Sequence, residues 1–180
     1  MIHRRLLFGL AIAAAIAPVV AQAHGPSRQK VTETIEINAP PDKVWAAIGN
    51  FGDMSWLPVV DKTEASDGNT PDKAVRKLVL KGGGVVEESL SKYSAEARSY
   101  GYRIEKVDVK VLPVTNYSSQ ISVTAVEGGK SSVEWRGAFY RGDPLGDPAP
   151  ALNDDAAIAA VTGLYKLGLG ALKKQLETGS

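Results

Sequence analysis

Residues 153–177 read NDDAAIAAVTGLYKLGLGALKKQLE, and this stretch decides the fold. Its apolar residues recur at steps of three and four, so they share one face of a helix of roughly six to seven turns. Three internal glycines, at positions 163, 168 and 170, make such a helix too weak to stand alone. Another part of the chain must therefore cover the apolar face. That face carries Ile158, Val161, Leu164, Tyr165, Gly168, Leu169, Leu172 and Leu176, and the opposite side carries Lys166, Lys173, Lys174 and Glu177.

The two ends of this helix are marked by residues that suit them. Asn153 is a typical N-cap, and Asp154 and Asp155 follow in the first turn, where the helix dipole favours negative charge. Lys173 and Lys174 lie near the C-terminal end, where cations are favoured. The sequence therefore predicts one long helix at the end of the chain.

The chain upstream of this helix alternates apolar and polar residues, which is the pattern of half-buried strands. Glycines at 82–84 and 128–129 indicate tight hairpins, and hairpins make neighbouring strands antiparallel. Residues 42–48 read as a short helix, and the apolar segment 49–58 is expected to close over the interior. Strands are predicted at 31–37, 59–65, 74–80, 85–93, 99–107, 116–126 and 132–141.

Together these elements predict one α+β domain. A seven-stranded antiparallel sheet is expected to wrap around the long C-terminal helix, with two short helices after strand 1. The domain is predicted to span residues 24–180, a length that suits a single hydrophobic core.

The first 23 residues read as a cleavable secretory signal peptide. A basic start at positions 3–5 precedes an uncharged apolar run at 6–17, and Ala21-Gln22-Ala23 matches an A-x-A cleavage site. We therefore expect an exported, periplasmic protein with no membrane span after cleavage. The alternative is an uncleaved N-terminal anchor, although the apolar run is short for a membrane span.

Composition excludes several classes of function. The chain has 21 basic and 20 acidic residues, so no basic excess points to nucleic acid. It has no cysteine, which excludes disulfides, thiol catalysis and cysteine-based metal sites. His24 is the only histidine left after cleavage, so a Ser-His-Asp triad is impossible. We predict no catalytic residue, no metal site and no cofactor.

Two groups of residues are candidates for binding. Aromatic residues on the predicted inner face could line a ligand cavity, although a fully packed core would explain them equally well. Acidic residues at the start of the last helix and in the crossover before it could form a surface for a partner protein. The cavity candidates are Trp56, Tyr100, Tyr102, Trp135, Phe139 and Tyr165, and the partner-surface candidates are Asp143, Asp147, Asp154 and Asp155.

Several short strings resemble the helix-grip fold of the Bet v 1-like superfamily, which includes START domains and polyketide cyclase-like proteins. Residues 37–45, INAPPDKVW, are similar to its opening strand-to-helix signature. Trp56-Leu57-Pro58 resembles the segment that follows, and Val133-Glu134-Trp135 with Phe139 resembles the last strand. The order of these strings over residues 24–180 carries the resemblance.

A narrower resemblance is to the MxaD-type periplasmic proteins associated with bacterial methanol oxidation. It rests on residues 110–119, KVLPVTNYSS, and on residues 135–141, WRGAFYR. The chain departs from that group at Leu57, where the group has a histidine. The resemblance implies a non-enzymatic accessory of a quinoprotein methanol or alcohol dehydrogenase, aiding its contact with a cytochrome c.

Three functions remain open at this point. The first is the dehydrogenase accessory that the resemblance implies. The second is a carrier of a small hydrophobic ligand in the cavity. The third is a cyclase-like enzyme, which would need a carboxylate with a shifted pKa inside the cavity.

Overall fold

The structure, a computed structural model, describes residues 25–178. The predicted signal peptide, residues 1–23, and His24 lie outside the described residues. The strands are β1 (Gln29–Ile37), β2 (Val60–Ser66), β3 (Val75–Leu80), β4 (Val85–Ser94), β5 (Ser99–Val107), β6 (Val114–Val126) and β7 (Lys130–Arg141), and the helices are α1 (Pro41–Ile48) and α2 (Asp154–Thr178).

The seven strands form one antiparallel sheet in the order β1-β7-β6-β5-β4-β3-β2. Strands β2 to β7 follow one another as neighbours, because each is joined to the next by a short connection. Strand β1 closes the order by pairing with β7, the last strand. The predicted α+β helix-grip fold is therefore confirmed, with strand limits within two residues of those expected.

Helix α2 lies against the sheet and packs mainly on β1 and β7. Its buried residues are Ala157, Val161, Tyr165, Gly168, Leu169, Leu172 and Leu176. The predicted apolar face is thus the buried one, with Ile158 and Leu164 partly buried at its margin. Among residues 25–178, α2 is the one helix long and apolar enough to cross a membrane, but its apolar face is part of the core.

Only one helix, α1, separates β1 from β2 among the described residues, whereas the sequence predicted two. Residues 49–59 form successive turns instead. The side chain of Asn50 accepts a hydrogen bond from the Gly52 backbone N–H, and that of Asp53 accepts one from Ser55. Such local hydrogen bonds compete with those of a helix, so the segment forms turns rather than a second helix.

The turn segment nevertheless covers the interior, as its apolar content predicted. Phe51, Met54, Trp56 and Leu57 are all buried against the sheet and α2. The Phe51 backbone N–H donates to the Asn69 side chain at 2.8 Å, which ties the segment to the β2–β3 turn. Residues 49–59 therefore form one wall of the interior.

Candidate ligand cavity

A cavity of about 300 Å³ lies between the inner face of the sheet, the turn segment and the middle of α2. Two of its lining residues, Gly163 and Leu167, are also exposed to solvent, so the cavity reaches the surface beside the middle of α2. This opening is the mouth of the cavity, and Val111 and Leu112, half-buried in the β5–β6 connection, also line the space. The walls are almost entirely apolar and consist of Met54, Leu57, Val59, Val60, Leu78, Leu80, Val86, Ile104, Val111, Leu112, Trp135, Ala160, Gly163, Leu164 and Leu167.

Among residues 25–178, a buried ion pair supplies the one charged group that lines the cavity. Arg76 on β3 faces Glu88 on β4, and its Nε donates to Glu88 Oε2 at 2.5 Å. The Arg76 Nη1 donates to the Phe51 carbonyl at 2.8 Å. The guanidinium also lies 4.2 Å from the ring centre of Phe51 and 4.9 Å from that of Tyr102. Glu88 lines the cavity, whereas Arg76 does not line it and binds the Glu88 carboxylate from the side away from the cavity.

The pKa directions of the pair follow from burial and mutual attraction. Burial raises the pKa of the Glu88 carboxyl, and the Arg76 charge opposes that rise. Burial alone would lower the pKa of Arg76, but the charge and hydrogen bond of Glu88 together with the nearby Tyr100 and Tyr102 outweigh that effect, so the pKa is raised. Because a guanidinium keeps its proton in proteins, the contact favours the carboxylate form of Glu88.

Hydroxyl groups form a directed chain beside the ion pair. Trp135 Nε1 donates to both Tyr102 Oη, at 3.1 Å, and Ser119 Oγ, at 3.0 Å. Ser119 Oγ donates its proton to the Arg136 carbonyl at 2.8 Å, so Tyr165 Oη, 3.0 Å away, must donate to Ser119. Tyr117 Oη then donates to Tyr165 Oη at 2.5 Å. Burial raises the pKa of Tyr102, Tyr117 and Tyr165, which keeps these hydroxyls protonated.

A family model described as "Polyketide cyclase / dehydrase and lipid transport" matches residues 28–177. The chain belongs to this family. The match spans β1 to α2, so every strand and the gripped helix are included. A search of the curated proteins finds no match.

Two solved structures are similar in both sequence and fold. Protein XoxI from Bacillus cereus is 31% identical over 82% of this chain and 95% of its own, with a TM-score of 0.70. An uncharacterized protein from Bacillus thuringiensis is 32% identical over 83% of this chain and 99% of its own, with the same TM-score. The resemblance to the Bet v 1-like superfamily is thus confirmed, and the chain is close to XoxI.

More distant structures share the fold alone. Norcoclaurine synthase from Thalictrum flavum is 12% identical over 99% of this chain and 98% of its own, with a TM-score of 0.62. The Zhui aromatase/cyclase from Streptomyces sp. R1128 is 17% identical over 84% of this chain and 94% of its own, with a TM-score of 0.65.

The six aromatic residues predicted for the cavity are all buried, but they do not all reach it. Tyr102 and Trp135 line the cavity, whereas Trp56, Tyr100, Phe139 and Tyr165 do not. Trp56 and Tyr165 pack on Trp135, with ring centres 5.3 and 4.3 Å from it. Phe139 stacks on Tyr117, and Tyr100 packs against Phe51. These four side chains therefore support the wall from behind.

Sequence reasoning missed the polar residues of the site, namely Arg76, Glu88, Tyr117 and Ser119. A signal was present in the alternation of the strands. Arg76 falls on the same face of β3 as Leu78, and Glu88 falls on the same face of β4 as Val86 and Leu90. Two opposite charges at inward positions of adjacent strands indicate a buried pair.

The four acidic residues predicted as a partner surface have different environments. Asp147 and Asp155 are exposed, whereas Asp143 and Asp154 are partly buried. Asp154 Oδ2 accepts from Arg141 Nη1 at 3.3 Å, and Arg141 Nε donates to the Asp143 carbonyl at 2.8 Å. Arg141 thus offsets part of the negative charge. Among residues 25–178, no group of three or more acidic, His or Cys side chains could hold a metal ion.

Proposed function

We propose that this protein binds a small, mostly apolar ligand in the cavity beside α2. The observation that carries the proposal is a space of about 300 Å³ whose walls, among residues 25–178, are apolar except for Glu88, Tyr102, Tyr117 and the indole N–H of Trp135. Apolar pockets with a few fixed polar groups are the usual form of a small-molecule site. Because a 150 Å³ apolar cavity holds benzene, this one suits a ligand of on the order of ten non-hydrogen atoms.

The proposal is tested by filling the mouth of the cavity. Gly163 lines the cavity, and a Cβ at this position meets no atom within 4 Å, so Gly163→Phe adds a ring there without a backbone clash. Calorimetric titration with p-xylene and p-cresol is expected to show binding to the unmodified protein and at least tenfold weaker binding to Gly163→Phe.

Gly170→Phe is the matched control. A Cβ at Gly170 also meets nothing within 4 Å, and Gly170 lies on the same helix but does not line the cavity. This variant is expected to bind both compounds as the unmodified protein does. Failure of the unmodified protein to bind either compound at millimolar concentration would refute the proposal.

A second candidate function is that of a periplasmic, non-enzymatic accessory of a quinoprotein methanol or alcohol dehydrogenase, aiding its contact with a cytochrome c. It is supported by the resemblance of residues 110–119 and 135–141 to MxaD-type proteins and by the 31% sequence identity to XoxI over 82% of this chain. Under this proposal, the exposed Asp147 and Asp155 belong to the docking surface.

The accessory function is tested by capture from periplasm. The unmodified chain is expected to retain a dehydrogenase or a cytochrome c, and Asp147→Lys with Asp155→Lys is expected to weaken that retention. Glu96→Lys with Glu127→Lys changes the charge equally at two exposed hairpin positions and serves as the control. Equal retention by both double variants would contradict the acidic docking surface, and an unchanged rate of alcohol oxidation in a deletion strain would refute the function.

The cyclase-like alternative ranks below these two. It required a carboxylate with a shifted pKa inside the cavity, and burial raises the pKa of Glu88, which lines it. However, the contact with Arg76 opposes that rise and already engages one oxygen of the carboxylate in an ion pair. Glu88 is better suited to accept a hydrogen bond from a ligand than to remove its proton.

A further inference from the structure

The polar end of the cavity presents one acceptor and one donor side by side. Glu88 on β4 pairs with Ile104 on β5, and Leu90 pairs with Tyr102, so Glu88 and Tyr102 are diagonal neighbours on the inner face. Diagonal neighbours across antiparallel strands are within mutual reach for long and aromatic side chains. Both residues line the cavity. A single ligand group can therefore contact both.

The acceptor is the Glu88 carboxylate. Within residues 25–178, its hydrogen bonding to Arg76 uses Oε2. A carboxylate has about four lone-pair sites on its two oxygens, so Oε1 can still accept. Glu88 cannot turn away from the cavity, because Arg76 is itself held by the Phe51 carbonyl and lies over two aromatic rings.

The donor is the Tyr102 hydroxyl. Its oxygen accepts the Trp135 indole N–H, which leaves its own proton for another acceptor. No hydrogen bond from this hydroxyl to another group is found within residues 25–178. Trp135 is fixed in turn by stacking on Tyr165, with ring centres 4.3 Å apart. Donor and acceptor are thus pre-organised, which reduces the entropic cost of binding.

Resting on the proposed function, we propose that the cavity selects an apolar ligand that carries a hydroxyl group. The hydroxyl donates its proton to Glu88 and accepts the proton of Tyr102, so it satisfies both. An ether or ketone has no proton for Glu88, and a protonated amine has no lone pair for Tyr102. A ligand carboxylate is repelled by Glu88. Each poorer ligand leaves a buried polar group unpaired, which is the strongest basis for discrimination between similar molecules.

Three compounds of similar shape test this inference by calorimetric titration. They are p-cresol, which donates and accepts, 4-methylanisole, which only accepts, and p-xylene, which does neither. The unmodified protein is expected to bind p-cresol on the order of tenfold or more tightly than either of the others, because each net hydrogen bond is worth up to about tenfold.

Two variants identify the groups responsible. Tyr102→Phe removes the donor and is expected to weaken p-cresol binding by roughly tenfold while p-xylene binding changes less than about twofold. Arg76→Met with Glu88→Leu removes both charges and the acceptor together, so no charge is left unpaired in the core. This double variant is also expected to lose most of the preference for p-cresol. Tyr140→Phe alters a tyrosine of the outer face of β7, which does not line the cavity, and should change nothing.

The outcomes separate this inference from the proposed function. Binding of p-xylene as tightly as p-cresol by the unmodified protein would overturn the inference and leave the cavity function intact. An unchanged preference in Tyr102→Phe and in the double variant would also overturn it. Absence of binding by all three compounds would overturn both.

Discussion

Three glycines of α2 occupy different environments, and this decides what a side chain would do at each. A Cβ on Gly168 would lie 2.8 Å from Leu57 Cδ1 and 2.9 Å from Trp135 Cζ3. At Gly163 and Gly170 it would meet no atom within 4 Å. Gly168 therefore allows α2 to approach Trp135 closely, whereas Gly163 leaves space at the cavity and Gly170 makes no close contact.

We predict opposite effects for two alanine substitutions in this helix. Gly168→Ala is expected to lower the free energy of unfolding by about 1–3 kcal/mol, because the added methyl overpacks the contact with Trp135. Gly170→Ala is expected to raise it by roughly 0.5–1 kcal/mol through better helix propensity. Urea unfolding followed by circular dichroism measures both. A Gly168→Ala protein as stable as Gly170→Ala would contradict the close packing.

A second prediction concerns the Arg76–Glu88 pair. Arg76→Met leaves the Glu88 carboxylate buried without its partner and is expected to lower the free energy of unfolding by about 3–5 kcal/mol. Arg76→Met combined with Glu88→Leu removes both charges and should recover most of that loss. A double-mutant cycle by urea unfolding gives the coupling energy. Additive losses in the double variant would show that the two side chains do not stabilise each other.

At the scale of residues, the sequence predicted which side chains are buried better than it predicted which groups those side chains contact. The alternation of β5 and β7 correctly placed Tyr100, Tyr102 and Trp135 inside. It could not tell which of them face an empty space, because that depends on gaps between side chains from distant elements. Arg76 is a second example. The alternation of β3 indicates that Arg76 points inward, but it does not identify its partner, Glu88, which lies 12 residues away on another strand.

At the scale of elements, α2 begins where local chemistry indicated. The Asn153 side-chain oxygen accepts the Ala156 backbone N–H at 2.8 Å, which satisfies one of the free donors of the first turn. The predicted N-cap is therefore present. Asn153 does not line the cavity, so a substitution there tests the stability of the helix alone.

We predict that Asn153→Ala lowers the free energy of unfolding by about 1 kcal/mol through loss of this cap. Asn153→Ser, which keeps a capping oxygen, should lie within a few tenths of a kcal/mol of the unmodified protein. Thermal and urea unfolding measure the difference. Equal losses in both variants would mean that the side-chain oxygen does not stabilise the helix.

The segment between α1 and β2 is where the element prediction was wrong. The predicted layout placed a second short helix after strand 1, but here the Asn50 and Asp53 side chains accept backbone hydrogen bonds that stabilise turns. Short polar side chains compete with helical hydrogen bonds at close range, and in a segment this short the competition decides the outcome. The expected closure over the interior was nevertheless correct.

At the scale of the whole molecule, buried tyrosines make the fold sensitive to alkaline pH. Burial raises the pKa of Tyr100, Tyr102, Tyr117 and Tyr165, although Arg76 opposes the rise at Tyr100. In the unfolded chain, tyrosines release their protons near pH 10. The folded state holds more protons above that pH, so the stabilising contribution is fully present below pH 10 and is lost as pH rises toward the folded-state pKa values.

We therefore predict that stability falls steeply above about pH 10, by up to about 1.4 kcal/mol per pH unit for each buried tyrosine. Absorbance at 295 nm, which reports tyrosinate, should show these hydroxyls ionising together with loss of near-ultraviolet circular dichroism. The single variant Tyr117→Phe should reduce the slope of stability against pH. Ionisation of all six tyrosines near pH 10 in a still folded protein would contradict the burial.

The sequence by itself determined the order of the strands and the buried face of the last helix, through periodicity, and the antiparallel hairpins, through glycines at 82–84 and 128–129. These features follow from contacts between residues close in sequence, and the period of apolar residues records them directly. Tertiary structure alone decided the cavity, its Glu88–Tyr102 end and the Arg76–Glu88 pair. Their existence depends on how side chains from β3, β4, β5, the turn segment and α2 fill a shared volume. A space left by imperfect packing between distant elements has no periodic signature in any one of them.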